Sequence, residues 1–171
     1  RIWDMAAFQW KNENAKIAWQ SEGENTDKEF VDEAITRTVV PFTMLNDHIL
    51  VNVTVNKTTP LTFVLDSGAA ATVITQTSKT NALKLPMNKP ITIGGAGSGK
   101  APTAYIVHGA HIQLGGFSIS DLSVIYAPTS AMPFRSVDET YFDGVLGADF
   151  FNCCLVEINH DAKALIISKP D

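Results

Sequence analysis

The run Phe63-Val64-Leu65-Asp66-Ser67-Gly68-Ala69 constrains this chain more than any other segment. An apolar strand delivers an acid, and a small hydroxyl residue, a glycine and an alanine follow at once. A carboxylate leaving a buried strand is costly unless it is hydrogen-bonded or used. Gly68 permits a tight turn and a close approach of backbone. Ser67 adds a hydroxyl that can tie such a turn in place. Any fold for this chain must bring a carboxylate to the end of a core strand and hold it there.

The pattern on both sides of the run is β. Thr38 to Met44 leads to a turn at Asn46-Asp47, and Ile49, Val51, Val53 and Val55 then alternate onto one face. Asn56 to Pro60 is the next turn, and Leu61 to Leu65 is the strand that ends at Asp66. Thr72 to Thr75 reads as strand and Ser78 to Leu83 as a short helix. Pro90 to Ile93, Ala104 to Val107, His111 to Leu114 and Phe117 to Tyr126 follow as strands, with a Gly115-Gly116 turn before the last. Ala127 to Glu139 is a loop. Asp143 to Phe151 mixes a glycine-bounded strand with a helical turn. Leu155 to Ile158 and Ala164 to Ile167 close as a hairpin around His160-Asp161. Short strands with Gly and Pro turns predict an all-β barrel or sandwich.

Residues 1–37 read differently. They hold all three tryptophans, Trp3, Trp10 and Trp19, and a polar acidic stretch from Ser21 to Glu33. Phe8/Trp10 and Ile17/Trp19 flank Lys11-Asn12-Glu13-Asn14 as a hairpin would, and Asp27 to Ile35 also tolerates a helix. The expected organisation is an N-terminal extension over 1–37, the tail of an upstream domain or a pro-segment, and one domain over 38–171.

Composition narrows the function classes. Of 171 residues, 45% are hydrophobic and 18% charged, enough apolar residue for a packed core. The net charge of −5 and the lack of a basic patch argue against nucleic acid. Cys153 and Cys154 are neighbours and the only cysteines, so neither a disulfide framework nor a Cys-rich zinc site is expected. No apolar run approaches a membrane span. Arg1 in place of Met reads as a processed or partial chain; export to the periplasm or envelope is the expected route, with the cytoplasm left open as the alternative.

Asp-Ser-Gly alone is also a common structural turn. Two features move it away from that reading. The strand before Asp66 is wholly apolar, and Val145-Leu146-Gly147 repeats the pattern of two apolar residues and a glycine, with Ala148-Asp149-Phe150-Phe151 behind. Between them lies Ile93-Gly94-Gly95-Ala96-Gly97-Ser98-Gly99. In this order the three segments resemble the retropepsin-like, retroviral-type aspartic protease family, over about Thr38 to Ser168; Val39-Val40-Pro41-Phe42 before a hairpin and the closing strand pair also resemble its bacterial-type members. The family places Thr more often where Ser67 stands, and often a polar residue where Ala70-Ala71 stand.

The resemblance implies an aspartic endopeptidase. Asp66 would be catalytic, with Ser67, Gly68 and Ala69 supporting it. Gly94, Gly95, Ala96, Gly97, Ser98 and Gly99 would form a substrate-binding flap. Val145, Leu146 and Gly147 would be the strand beside the active-site loop. No cofactor and no metal is implied. Peptide hydrolysis of this kind needs one carboxylate to activate water and another to protonate the carbonyl oxygen. Two carboxylates sharing a proton do this. The chain offers one Asp-Ser-Gly; its rivals are Asp143, which lacks the apolar strand in front, and Asp149, which suits the first turn of a helix. The second acid is therefore expected from a homodimer, Asp66 of another copy. Ser67 would then bond across to the partner loop, and Gly68 would let the two carboxylates lie nearly coplanar.

Other motifs weigh less. Gly94 to Lys100 fits the start of a phosphate-binding loop, but Ala101 stands where its metal-binding hydroxyl belongs and strand rather than helix follows. His48, His108, His111 and His160 show no metal-site spacing. The reading from another class is a protease-fold module, inactive or held latent by residues 1–37, that binds peptide or a partner protein.

Overall fold

The computed structural model describes Asn12 and residues 15–20, 36–92, 102–131 and 142–170. Chain order is β1 (Lys16–Trp19), β2 (Arg37–Leu45), β3 (His48–Val55), β4 (Pro60–Leu65), β5 (Val73–Thr75), α1 (Ser78–Asn81), β6 (Pro90–Thr92), β7 (Thr103–Leu114), β8 (Phe117–Ala127), β9 (Gly144–Leu146), α2 (Ala148–Phe151), β10 (Leu155–Asn159) and β11 (Ala164–Ser168). The fold is all-β, as the alternation predicts.

Local chemistry fixes the first hairpins. Asn46 and Asp47 both take positive φ, 50° and 64°, and so do Asn56 and Lys57, 51° and 58°. Paired left-handed residues make the turn whose twist matches two antiparallel strands. Alternation then sets the faces: Thr38, Val40 and Phe42 of β2 are buried while Val39 and Pro41 are exposed.

Six strands close on themselves. β3 pairs β4, β4 pairs β9 in parallel, β9 pairs β5, β5 pairs β8 in parallel, β8 pairs β7, and β7 returns to β3. The last contact is short, Thr54 opposite Gln113 and Val55 opposite Ile112. β2, β11 and β10 extend from β3 as an antiparallel wing, and β6 adds to β7.

β4 is buried on both faces, as parallel pairing demands. Leu61 and Phe63 join the main core with Val51, Val53, Val55, Ile112, Phe117, Leu146 and Phe150. Val64 joins a second cluster with Ala69, Ala71, Val73, Ile125, Phe142 and Val145. The strand that ends at Asp66 thus has a core on each side.

One expectation changes: the strands read at 104–107 and 111–114 are one strand of 12 residues, β7. Register shifts on either side of Ala110, beside Gly109 at φ +75°, absorb the extra residues without breaking it. The described part of the 1–37 segment joins the sheet: β1 lies antiparallel on β8, Trp19 opposite Phe117. The Phe8/Trp10 half of the expected hairpin, the helix over Asp27 to Ile35, the Gly94 to Gly99 segment and most of the 127–139 loop lie outside the described residues.

Candidate active site

Asp66 stands one residue past β4, half-buried, with Ser67 and Gly68 exposed after it. Its turn is built from its own atoms. Gly68 N donates to Asp66 Oδ1 at 2.9 Å, and Ala69 N donates to Asp66 O at 3.1 Å. A Cβ at Gly68 would stand 3.2 Å from Asp66 Oδ1, so a side chain there would press on the carboxylate. Oδ2 of Asp66 accepts no hydrogen bond from the described residues.

The segment after β9 holds this turn from the other side. Asp66 N donates to Leu146 O at 3.0 Å, continuing the parallel ladder that pairs Leu65 with Leu146. Ala148 N donates to Ala69 O at 2.7 Å. Gly147 makes the approach possible: a Cβ there would lie 2.5 Å from Ala71 O and 2.7 Å from Ala69 O. The structure thus brings Asp66, Ser67, Gly68 and Ala69 against Val145, Leu146 and Gly147, segments some eighty residues apart in the chain.

The two rival acids are spent elsewhere. Asp143, 5% exposed, accepts from Thr62 N at 3.0 Å and from Thr77 Oγ1 at 2.8 Å, fastening β4 to the cap of α1. Asp149 accepts from Thr72 Oγ1 at 2.6 Å, from Thr72 N at 3.0 Å and from Phe150 N at 2.8 Å. Burial pushes the Asp149 carboxyl above its ordinary value, although the Thr72 and Phe150 donors pull the other way. Asp149 is therefore a clamp on the loop after Asp66. Sequence reasoning placed it only at the start of a helix. Its partner Thr72 is 77 residues away, and no local pattern marks the pair.

Among the described residues no group of three His, Cys, Asp or Glu could hold a metal ion, and no helix is long and apolar enough to cross a membrane. Cys153 and Cys154 sit behind the site, their thiols directed to Asp149 O and Phe150 O.

An acid on a turn between two apolar clusters is thus locked to a glycine-containing strand–helix corner inside a closed all-β barrel, a fold of the retropepsin-like kind. The chain belongs to the aspartyl protease family, whose model matches residues 51–150, more than half of its length. Among solved structures it is similar to a retropepsin-like aspartic protease from Rickettsia conorii, at 15% identity and TM-score 0.49, over 78% of this chain and 90% of that one. It is also similar to the retroviral protease-like domain of Ddi1 from Leishmania major, at 15% identity and TM-score 0.48, over 72% and 94%. EIAV protease in complex with the inhibitor HBY-793 matches at 26% identity and TM-score 0.43, over 63% and 88%. No curated protein sequence matches the chain.

Proposed function

We propose that the protein is an aspartic endopeptidase, active as a homodimer, in which two copies of Asp66 activate one water against a peptide carbonyl. The observation that carries this reading is the disposition of the three acids. Asp143 and Asp149 each give both carboxylate oxygens to neighbours, whereas Asp66 has only Oδ1 tied, to Gly68 N, among the described residues. One such carboxylate is half of the chemistry. A base must take a proton from water while an acid gives one to the carbonyl oxygen. Across a twofold axis, two Asp66 carboxylates would share one proton, one serving as base and the other as acid.

In this dimer Ser67, exposed on the same turn, bonds across the axis and fixes the pair. Peptide substrate lies extended over the turn and adds as a strand. Gly94 to Gly99, carried in sequence between the antiparallel partners β6 and β7, are proposed as its cover. The test is Asp66→Asn. The variant should keep the wild-type melt and lose cleavage of an unfolded protein substrate at mildly acidic pH by about a thousandfold or more. Cleavage at the wild-type rate would end this mechanism and favour the peptide-binding module.

A further inference from the structure

The described part of the N-terminal extension already has its partners. β1 lies on β8 from Lys16 opposite Ser120 to Trp19 opposite Phe117. Gln20 N donates to Gly116 O at 2.7 Å, and Ser123 N donates to Asn12 Oδ1 at 2.8 Å. Gly116 is fitted to this strand, since a Cβ there would stand 2.1 Å from Gln20 O. Trp19 sets its ring edge-on to Phe117 with centroids 4.8 Å apart. Phe117, fully buried, meets Phe150 of α2 in the same manner at 5.8 Å.

α2 is the element that holds the Asp66 turn. Ala148 N bonds Ala69 O, and Asp149 bonds Thr72 through two donors. A continuous run of contacts therefore leads from Trp19 through Phe117 and Phe150 to the loop beside Asp66. Close-packed aromatic rings transmit displacement because interiors hold few voids to absorb it.

We infer that β1 is a built-in positioning strand and that Trp19 is a positioning residue for Asp66, so that this strand supports activity rather than restrains it. This rests on the reading of Asp66 as the catalytic acid. A restraining segment needs its strand free to lie over the Asp66 turn. Here Asn12 and residues 16–20 are committed to β8 and its turn between Gly116 and Ser123. The end of β8 that runs beside the site is a different stretch, Ile125 to Ala127, and it pairs with β5. Removing Trp19 uncovers Phe117 and loosens Phe150, and with them the corner that carries Ala148 and Asp149.

The experiment compares the full chain with Trp19→Ala, Trp19→Phe and a chain lacking residues 1–20, the last with and without a synthetic peptide of residues 12–20. For Trp19→Ala the expected result is a kcat lowered by about tenfold with KM within about twofold, because turn geometry rather than substrate contact is lost. Amide exchange should quicken at Thr72 and Ala148 while Val51 and Phe63 stay protected as in the wild type. Trp19→Phe should restore most of the rate, and the peptide should raise the activity of the shortened chain. A gain in activity on shortening, inhibition by the peptide, or a Trp19→Ala variant with wild-type kcat and wild-type exchange at Thr72 and Ala148 overturns the inference. Should Trp19→Ala fail to fold, Trp19→Leu is read at the same amides by the same criterion. Amide exchange also keeps the two readings apart. If the wild type cleaves nothing, the catalytic reading fails, and the coupling of Trp19 to Thr72 and Ala148 is still measured.

Discussion

At the scale of single residues a strict demand beside the site falls on Gly147. Two carbonyl oxygens, of Ala69 and Ala71, occupy the space its Cβ would take. Both belong to backbone, so neither can swing aside. Gly147→Ala should cost about 1–3 kcal/mol, the range for overpacking, read as a lowered denaturation midpoint. The same variant should lose cleavage beyond what its stability explains, because the displaced carbonyls belong to the loop after Asp66. Asp149 makes a prediction about pH. Burial raises its carboxyl in the folded protein above 3.8, the value of the free side chain. Between those two values the unfolded chain has lost its proton while the folded chain keeps it. The stability this residue contributes is therefore complete below about pH 3.8 and declines as pH rises through the folded value. Asp149→Asn keeps an oxygen to accept from Thr72 N and has no such titration. Melts of both proteins across that window should differ in slope, the wild type losing stability with rising pH relative to the variant. Cys154 gives a simpler check. Burial first, and then Cys153 beside it, push its thiol up to about 12. Thiolate is the reactive form, so near neutral pH the folded protein should leave Cys154 unmodified by a thiol reagent that labels it at once in denaturant. The sequence marks Asp66 because its whole setting is local, an apolar strand, a hydroxyl and a glycine. It does not mark Thr72 as the partner of Asp149, because that bond exists only after β9 has been laid beside β4.

At the scale of elements the site is a corner between β4, β9 and α2, and Asp143 shows how it is braced. This acid ties β4 through Thr62 N and α1 through Thr77 Oγ1, while its own N–H donates to Thr62 O at 2.6 Å. It is a structural brace, and substitution should separate it from the chemistry. Asp143→Ala should destabilise by about 1–3 kcal/mol, the cost of stranding buried donors. Asp143→Asn should lose less, and both should retain cleavage within a few-fold of wild type when assayed well below their melts. Abolished cleavage by a folded Asp143→Asn would make Asp143 the second acid and remove the need for a partner copy. Elements whose limits are set by local chemistry were readable in advance. The left-handed pairs Asn46-Asp47 and Asn56-Lys57 end strands where the turn residues stand. β7 was not readable as one strand, because Gly109 and the residues beside it look like a turn and behave as a bulge. A bulge and a turn share their residue preferences; only the neighbouring strand β8, which continues past it, tells them apart.

At the scale of the whole molecule, closure of the barrel rests on pairings between distant segments, β3 with β7 and β5 with β8. Alternation shows that such strands have a buried face but not which strand lies beside which, so the all-β class was legible and the ring was not. Assembly lies one step further out. A single chain supplies one Asp66 and has committed Asp143 and Asp149 to its own framework, so the proposed chemistry requires that two chains meet. Activity per chain should then fall on dilution, along the same curve as the dimer fraction measured by sedimentation. A sharper measurement mixes wild type with an equal amount of Asp66→Asn and lets subunits exchange. Random pairing leaves about a quarter of the dimers with two Asp66 carboxylates, counted from a twofold assembly. Activity per wild-type chain should therefore drop to about half of its unmixed value if a dimer with one carboxylate is inert. If each chain works alone, the added variant changes nothing, and activity per wild-type chain stays where it was. The two results differ by a factor that an ordinary peptide assay resolves, and only the first is compatible with a site built from one residue of each copy.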